Sequence, residues 1–317
     1  MGHDSSNSLS RLRERNRALV LDALRGHGRT SRAELARVTG LSRTTVSGLV
    51  NDLIQRGLIV EHGAASGSQP GRPGVLLSLD PSAGTALAVD FGHTHLRVAI
   101  ADLASNILAE EELALDVDRS AHEALDSAAD LADNVLRSAG VDWDGVIGAA
   151  MGLPGPIDSS TGVVGSSVIL PGWAGLRPVE ELERRIGLRV GVDNDANLAV
   201  LGEARFGAAR GAQDVIYVKV SSGIGAGLLL GGRLHRGVSG SAGEFGHVLV
   251  DPEGTICRCG NRGCLETVAG SGTVLDLLRR SYGEELTIAE VLARAAAGDA
   301  GPRRALLDAG RAVGQAL

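Results

Sequence analysis

All three cysteines of this 317-residue sequence lie within eight positions, and nine residues separate the first of them from a preceding histidine. Cys257 and Cys259 form a Cys-x-Cys pair, Cys264 follows after four residues, and His247 is the nearby imidazole. Three thiolates and one imidazole are the ligand set of a closed tetrahedral zinc site, which is structural rather than catalytic. The alternative is a cluster of buried, inert cysteines. The tight spacing favours a structural Zn²⁺ ion.

The segment from Gly243 to Glu266 also resembles the signature of the ROK family (repressors, open reading frames, kinases). That signature reads Glu-x-Gly-His and then Cys-x-Cys-Gly-x-x-Gly-Cys-x-Glu, and each defined position matches. The resemblance implies sugar-hydroxyl contacts from Glu244, His247 and Glu266. It also implies that one ring nitrogen of His247 binds zinc while the other contacts the sugar. The implied zinc ligands are His247, Cys257, Cys259 and Cys264.

A second polar segment reads Asp-Asn194-Asp195-Ala-Asn. In ROK kinases, the aspartate that matches Asp195 is the general base for the attacked sugar hydroxyl, and the residue that matches Asn194 holds a neighbouring hydroxyl. A carboxylate can serve as this base when it lies within hydrogen-bond reach of the proton. The alternative is an Asx turn or helix cap, because these residue types bond readily to their own backbone.

Two strand-turn-strand segments, at 86–102 and 215–230, place glycines at their turns. Their recurrence predicts a duplicated α/β fold of two lobes. The resemblance implies the actin-like sugar-kinase fold, with a cleft between the lobes. Glycine-rich turns let backbone N–H groups approach phosphates. The residues that would bind nucleotide are Asp90, Gly92, Thr94, Ser222, Gly223 and Gly225.

The first of these turns departs from the kinase pattern Asp-x-Gly-Gly-Thr, since His93 replaces the second glycine. An imidazole there crowds the space for a phosphate, so tight binding of ATP and Mg²⁺ is not expected. Family members also continue beyond the position of Leu317 with a further helix, strand and turn. We therefore expect a C-terminally incomplete second lobe, and both features argue against kinase activity.

The N-terminal 80 residues have the pattern of a winged helix-turn-helix. Apolar residues at helical spacing predict helices at 11–25, from Ser31 to Gly40, and from Ser42 to Gly57. Ser31 and Glu34 are spaced as a capping box. Strands are predicted at 58–61 and 75–79. A helix, a glycine-containing turn and a helix followed by a wing is an arrangement typical of DNA binding. Alternatives are a protein-contact module or a plain three-helix bundle.

The third helix carries short polar side chains and a guanidinium opposite its apolar stripe, as recognition helices do. In the wing, Gly71-Arg72-Pro73 resembles an element of ROK repressors, and an extended arginine suits the narrow minor groove. The predicted DNA contacts are Arg43, Thr44, Thr45, Ser47, Asn51 and Arg72.

The distribution of charge also indicates that the N-terminal part of the chain is the part that contacts DNA. Residues 1–80 carry a net charge of +4 (11 basic, 7 acidic), and the remainder −11 (20 basic, 31 acidic). Clustered positive charge on the N-terminal part alone is expected of a DNA contact. Aromatic residues are 2%, which disfavours a stacking platform for single strands. No signal region or membrane-length apolar run is present, so a cytoplasmic location with no membrane partner is expected.

These patterns predict an α/β protein with a winged helix-turn-helix at 1–80, a linker at 81–85 and a ROK domain at 86–317. The ROK domain divides into lobes at 86–196 and 197–317. The predicted function is a transcriptional regulator, in particular a repressor of carbohydrate-related genes, that binds a double-stranded operator and senses a sugar or sugar phosphate. The alternative is an ATP-dependent sugar kinase with an appended DNA-binding domain. A third possibility is an oligomerising scaffold without ligand. The family resemblance implies a homodimer or homotetramer, and a helix-turn-helix usually reads two half-sites through two-fold symmetry.

Overall fold

The computed structural model describes residues 4–64, 75–158, 162–164, 169–283 and 285–317. Contacts divide the chain into two compact units. The first comprises Met1–Ala88, Ala99–Glu111 and Ala132–Ala149, and the second comprises Val89–Val98, Glu112–Leu131 and Ala150–Leu317. Within the described ranges, no helix is both long and apolar enough to cross a membrane.

The N-terminal part of the first unit contains three helices and a small antiparallel sheet. Its elements are α1 (Asp4–His27), β1 (Thr30–Ser31), α2 (Arg32–Thr39), α3 (Arg43–Gln55), β2 (Ile59–Ala64) and β3 (Val75–Leu79). The sheet has the order β1-β3-β2. This is the predicted winged helix-turn-helix. The sequence pattern gives no sign of β1, because two residues are too few to show periodicity.

Serine caps set the starts of α2 and α3. Ser31 Oγ accepts a hydrogen bond from the backbone N–H of Glu34 (3.3 Å), and Ser42 Oγ accepts one from Thr45 (3.1 Å). The Glu34 carboxylate binds the Arg37 guanidinium, so the predicted capping box is present only in its serine half. Gly40 ends α2 with φ at 69°, a conformation that favours glycine.

The winged helix is held by an apolar core and one largely buried ion pair. Arg17 of α1 donates through Nε to Asp52 Oδ2 of α3 at 2.9 Å, and these side chains are 14% and 21% exposed. The core residues are Val20, Leu24, Leu35, Val46, Leu49, Val50, Leu53, Ile59, Leu77 and Leu79. The predicted apolar face of α3 is therefore confirmed.

Beyond the winged helix, the chain forms a five-stranded sheet with the order β6-β5-β4-β7-β8. Its strands are β4 (Thr85–Phe91), β5 (His95–Asp102), β6 (Ile107–Ala114), β7 (Val146–Leu153) and β8 (Val190–Asn194). The helices that accompany these strands in the chain are α4 (Ala121–Ala139), α5 (Pro178–Ile186) and α6 (Asp195–Phe206). The predicted hairpin at 86–102 is confirmed.

The residues from Asp118 to Ala139 have the pattern of a helix, which predicts a start at Asp118, but α4 begins three residues later, at Ala121. Ser120 Oγ accepts from the backbone N–H of Glu123 at 3.3 Å and so caps the helix. Asp118 instead bonds the His93 side chain. A tertiary contact thus competes with helix extension at this position.

The second predicted hairpin is also present and forms a three-stranded sheet, order β11-β10-β9. Its strands are β9 (Val215–Val220), β10 (Ile224–Leu230) and β11 (Arg233–Leu234). A Cβ at Gly227 would lie 2.2 Å from the Ala196 carbonyl oxygen, so glycine allows β10 to approach α6 closely. The chain then continues through α7 (Leu265–Ala269), α8 (Ser271–Tyr282), α9 (Ile288–Ala296) and α10 (Ala300–Ala316).

Candidate ligand cleft and metal centre

A cavity of about 620 Å³ lies within the second unit. Its wall is formed by the turn between β4 and β5, the turn between β9 and β10, the start of α6, and the segments around His247 and Glu266. The structure thus brings residues far apart in the chain into one site. The predicted site residues that line it are Gly92, Thr94, Asn194, Asp195, Ser222, Gly223, Gly225, Glu244, His247 and Glu266.

Asn194 lies at the junction of β8 and α6 and is the N-cap of that helix. Its Oδ1 accepts from the backbone N–H groups of Ala196 (2.9 Å) and Asn197 (3.2 Å). Its Nδ2 donates to the Gly155 carbonyl at 2.9 Å. The helix-cap alternative is therefore confirmed for Asn194, and a sugar contact would use the remaining amide hydrogen.

Asp195, the first residue of α6, is paired with a lysine that sequence reasoning missed. Lys219 of β9 donates through Nζ to Asp195 Oδ2 at 2.6 Å, and the Asp195 side chain is 12% exposed. Lys219 is the one lysine among 31 basic residues, the others being arginine. That singularity, three positions before a glycine-rich turn that begins at Ser222, is a sequence signal that could have identified it.

Glu244 is a carboxyl group in the wall of the cleft. Its side chain is 27% exposed. Burial, reinforced by the negative charges of Asp195 and Glu266, raises the pKa of Glu244 to about 7. A carboxyl group that is partly protonated near neutral pH can both donate to and accept from a sugar hydroxyl.

His93 occupies the turn between β4 and β5 and belongs to a chain of polar contacts. A hydrogen bond of 2.7 Å joins His93 Nδ1 to Asp118 Oδ1. Arg258 Nη1 lies 3.9 Å from Asp118 Oδ2, and Arg258 Nε donates to Glu266 Oε1 at 3.0 Å. Neither Asp118 nor Arg258 was identified from the sequence, because nothing local predicts these long-range contacts.

The same chain of contacts links the turn between β4 and β5 to the turn between β9 and β10. Glu266 Oε2 accepts from the Ile224 backbone N–H at 3.2 Å. A Cβ at Gly223 would stand 3.6 Å from His93 Nε2 and 3.1 Å from Glu266 Oε2. The His93 ring therefore lies directly beside the second turn, and its crowding of a phosphate stays a prediction. The remaining nucleotide-site candidate, Asp90, lies 3.4 Å from His95 Nε2.

His247 and the three cysteines form one compact group whose ligand atoms all lie within 4.8 Å of one another. Cys257 Sγ is 3.5 Å from His247 Nδ1, and Cys259 Sγ is 3.6 Å from Cys264 Sγ. Burial and the adjacent Cys259 and Cys257 thiols raise the pKa of Cys264 to about 12. A cation offsets this penalty when it binds thiolates. The group could hold a metal ion.

The second nitrogen of His247 faces away from the cysteines. His247 Nε2 lies 3.8 Å from Glu244 Oε2 in the wall of the cleft. Metal coordination through Nδ1 would fix the orientation of this ring and leave Nε2 for a ligand. The shared role of His247 in metal and sugar binding, which the family resemblance implied, stays a prediction.

The predicted DNA-contact residues of α3 occupy its outer side. Arg43, Thr44 and Asn51 are exposed, whereas Thr45 and Ser47 are half-buried. Asn51 Oδ1 accepts from Arg32 Nη2 at 3.3 Å. Arg72 lies outside the described residues.

A winged helix followed by a two-hairpin α/β fold with a polar cleft and a His-Cys cluster defines a class of protein. Residues 86–317 match the ROK family, and residues 13–67 match the MarR family of winged helices. The chain therefore belongs to the ROK family.

The chain is similar to curated repressors over most of its length. It is 31% identical over 270 residues to a putative xylose repressor of Caldicellulosiruptor sp., covering 84% of this chain and 67% of that protein. It is 31% identical over 302 residues to the xylose repressor of Bacillus subtilis, covering 95% and 77%.

Solved structures agree. A ROK family transcriptional regulator, a homologue of the Escherichia coli MLC protein, aligns with a TM-score of 0.78 and 28% identity, covering 96% of this chain and 79% of that one. A ROK glucokinase from Streptomyces griseus, in complex with glucose and AMPPNP, aligns with a TM-score of 0.67 and 27% identity, covering 74% and 78%.

Proposed function

We propose that this protein is a DNA-binding transcriptional repressor whose ROK domain senses a sugar. The observation that carries the proposal is the presence, in one chain, of a winged helix with an exposed polar recognition surface and of a cleft lined by Asp195, Glu244 and Glu266. Carboxylates and amides are suited to sugar hydroxyls. The similarity to xylose repressors supports the same function.

The repressor is favoured over an ATP-dependent sugar kinase by the environment of Asp195. A general base must be free to take a proton from its substrate. The Asp195 carboxylate is already engaged by the Lys219 ammonium. His93 further narrows the turn at which a nucleotide phosphate would bind. Coupling to DNA requires that the sugar bind one arrangement of the protein better than another, because an indifferent ligand shifts no equilibrium.

Footprinting of the operator at fixed salt, with and without a panel of sugars, tests the proposal. Loss of a base-specific arginine costs roughly 1–3 kcal/mol and relaxes sequence preference at one position, as we expect for Arg43→Ala. Arg97→Ala is the matched control, since Arg97 is exposed on β5 and pairs with Glu112. If Arg43→Ala protects the operator as the unmodified protein does, α3 does not bind the bases. In the wing, Arg72→Ala should affect A·T-rich flanks.

We also propose that the metal of the His-Cys group is a structural Zn²⁺ ion. Its donors are soft thiolates and one imidazole, and Zn–S bonds of about 2.3 Å place the sulfurs of a tetrahedral site roughly 3.8 Å apart. The 3.6 Å separation of Cys259 and Cys264 Sγ is close to this value. One zinc ion per chain, measured by metal analysis under reducing conditions, is the expected result.

The proposed division is a winged helix at 1–80, a short linker at 81–85 and ROK lobes at 86–196 and 197–317. The proposed partner is a palindromic double-stranded operator, bound by a homodimer or homotetramer in the cytoplasm. Two-fold protein symmetry mirrors two half-sites. Analytical ultracentrifugation with and without the operator duplex measures the stoichiometry.

A further inference from the structure

The cations at the cleft are already neutralised by carboxylates of the protein. Among the described residues that line the cavity, Lys219 is the one lysine or arginine, and Asp195 binds it at 2.6 Å. Arg258, which contacts the cavity residue Glu266, is shared between Glu266 at 3.0 Å and Asp118 at 3.9 Å. A phosphate group would therefore meet paired cations rather than free ones.

Carboxylates outnumber cations in this region. Asp118, Asp195 and Glu266 contact Lys219 or Arg258, and Glu244 adds a fourth carboxyl group near Asp195 and Glu266. A phosphate ester would add a charge of about −1.5 to −2. Like charges brought together in a partly desolvated cavity repel one another. An uncharged polyol, in contrast, supplies hydroxyl donors to the same carboxylates.

The backbone donors of the second turn are also restricted. The Ile224 N–H already donates to Glu266 Oε2. The His93 ring lies beside Gly223 and is held there by its hydrogen bond to Asp118. Side chains thus occupy part of the space in which the two glycine turns could surround a phosphate.

We propose that the cleft takes an uncharged sugar and rejects its phosphate ester, and that Lys219 and His93 are the specificity-determining residues. The inference rests on the proposed sugar-sensing function and chooses one of the two effector classes that remained open. Lys219 confers this selectivity through its pairing with Asp195, which fixes that carboxylate as a hydroxyl acceptor. His93 confers it by occupying the phosphate position.

The first test uses inorganic phosphate and needs no identified effector. Thermal unfolding of the full chain is followed in Tris buffer with increasing phosphate, with chloride matched for ionic strength. No specific stabilisation of the unmodified protein is expected. Asp195→Asn frees the ammonium while keeping the side-chain shape, and should gain phosphate-dependent stabilisation. Asp195→Asn combined with Lys219→Met should lose that gain. The proposal would be overturned if phosphate stabilised the unmodified protein as much as Asp195→Asn, or if Asp195→Asn gained no phosphate-dependent stabilisation.

The second test uses calorimetry with D-xylose, D-glucose and N-acetylglucosamine, each beside its terminal phosphate ester. Binding of an uncharged sugar at least about tenfold tighter than its ester is expected. Asp195→Asn should weaken the uncharged sugar by roughly fivefold or more, because a buried hydroxyl loses its ionised acceptor. Tighter binding of an ester overturns the inference but leaves sugar sensing intact. If no sugar of either kind binds, the proposed sugar sensing fails together with the uncharged ligand, and the phosphate experiment decides only whether the cleft rejects phosphate.

Discussion

The winged helix and the loop from His247 to Cys264 are both small, but they are held together by different forces. The winged helix buries ten apolar side chains around Val46 and Leu53. The loop exposes Leu249 (59%) and Ile256 (69%), and its pairing consists of isolated bridges such as Leu249 with Cys264. Its compactness coincides with the group of four potential metal ligands.

The contrast shows how two kinds of sequence information determine structure. A core is specified by the spacing of many apolar residues, and each of them contributes only part of the folding free energy. A single substitution therefore lowers the stability of the core without abolishing it. A ligand cluster is specified by a few residues, and loss of one removes the whole site. We therefore expect substitutions in the two regions to destabilise the protein by different amounts and in different places. Hydrogen exchange measures this local destabilisation along the chain.

The largest effect is expected from Cys259→Ser. Loss of one thiolate should abolish stoichiometric zinc and expose the loop, because metal binding at such a site is also folding free energy. Metal analysis should fall from one ion per chain to well below one. Amide exchange should accelerate in peptides spanning 247–266 and remain unchanged in those spanning 20–57.

Ile256→Ser is the matched control, because Ile256 lies in the same loop, is exposed and is not a ligand. It should retain the metal. Full zinc content and unchanged exchange in Cys259→Ser would show that the loop is stabilised in another way.

Two glycines of the loop provide a sharper test of its geometry. Gly263 has φ at 66°, and a Cβ there would stand 1.5 Å from the Asp251 carbonyl oxygen. Gly263→Ala should cost roughly 2–5 kcal/mol through left-handed strain and steric overlap. Gly260 has φ at 92°, but an added Cβ meets nothing within 4 Å. Gly260→Ala should cost only about 1–2 kcal/mol. Equal losses in thermal unfolding would contradict the close approach at Gly263.

Leu53→Ala perturbs the core of the winged helix instead of the loop from His247 to Cys264. Leu53 is 1% exposed, and truncation of a buried leucine costs about 2–5 kcal/mol. Exchange should accelerate in peptides spanning 20–57, operator affinity should fall, and zinc content should stay at one ion per chain. Leu12→Ala, at a leucine 51% exposed, is the control and should leave each quantity nearly unchanged. Loss of zinc in Leu53→Ala would mean that the two regions do not respond separately.

The sequence predicted the winged helix and both hairpins because their signals are local. Caps at Ser31 and Ser42 fix helix starts, and apolar alternation marks the strands. Helix α4 was predicted to start at Asp118 because periodicity cannot reveal that His93, 25 residues earlier in sequence, binds that carboxylate. Local sequence patterns thus predict helices and strands well, but they do not predict the tertiary contacts at the ends of these elements.

The site was predictable where it is a motif and not where it is a meeting of distant residues. His247 and the cysteines are recognisable from spacing alone. The ion pair between Lys219 and Asp195 joins residues 24 positions apart, on β9 and α6, and only the folded chain brings them together. Asn194 had two interpretations. Its bonds to the α6 backbone confirm the helix cap, and the sugar contact of the same side chain stays a prediction.

The smallest expected effect compares Ser42, the N-cap of α3, with Ser47 inside that helix. Ser42→Ala removes the side-chain acceptor for the Thr45 N–H and should destabilise the winged helix by about 1 kcal/mol. Ser47→Ala lies inside the same helix, where alanine has the higher helix propensity, so it should be neutral or stabilising by up to about 0.5 kcal/mol. Exchange in peptides spanning 31–57 measures both. Ser47→Ala should in addition weaken operator binding, if its hydroxyl contacts DNA, whereas Ser42→Ala should weaken binding only as far as it loosens α3. The expected result is that the two substitutions change the free energy of unfolding in opposite directions, and that Ser47→Ala lowers operator affinity more than Ser42→Ala does. This result would show that Ser42 stabilises the recognition helix and that Ser47 contacts DNA.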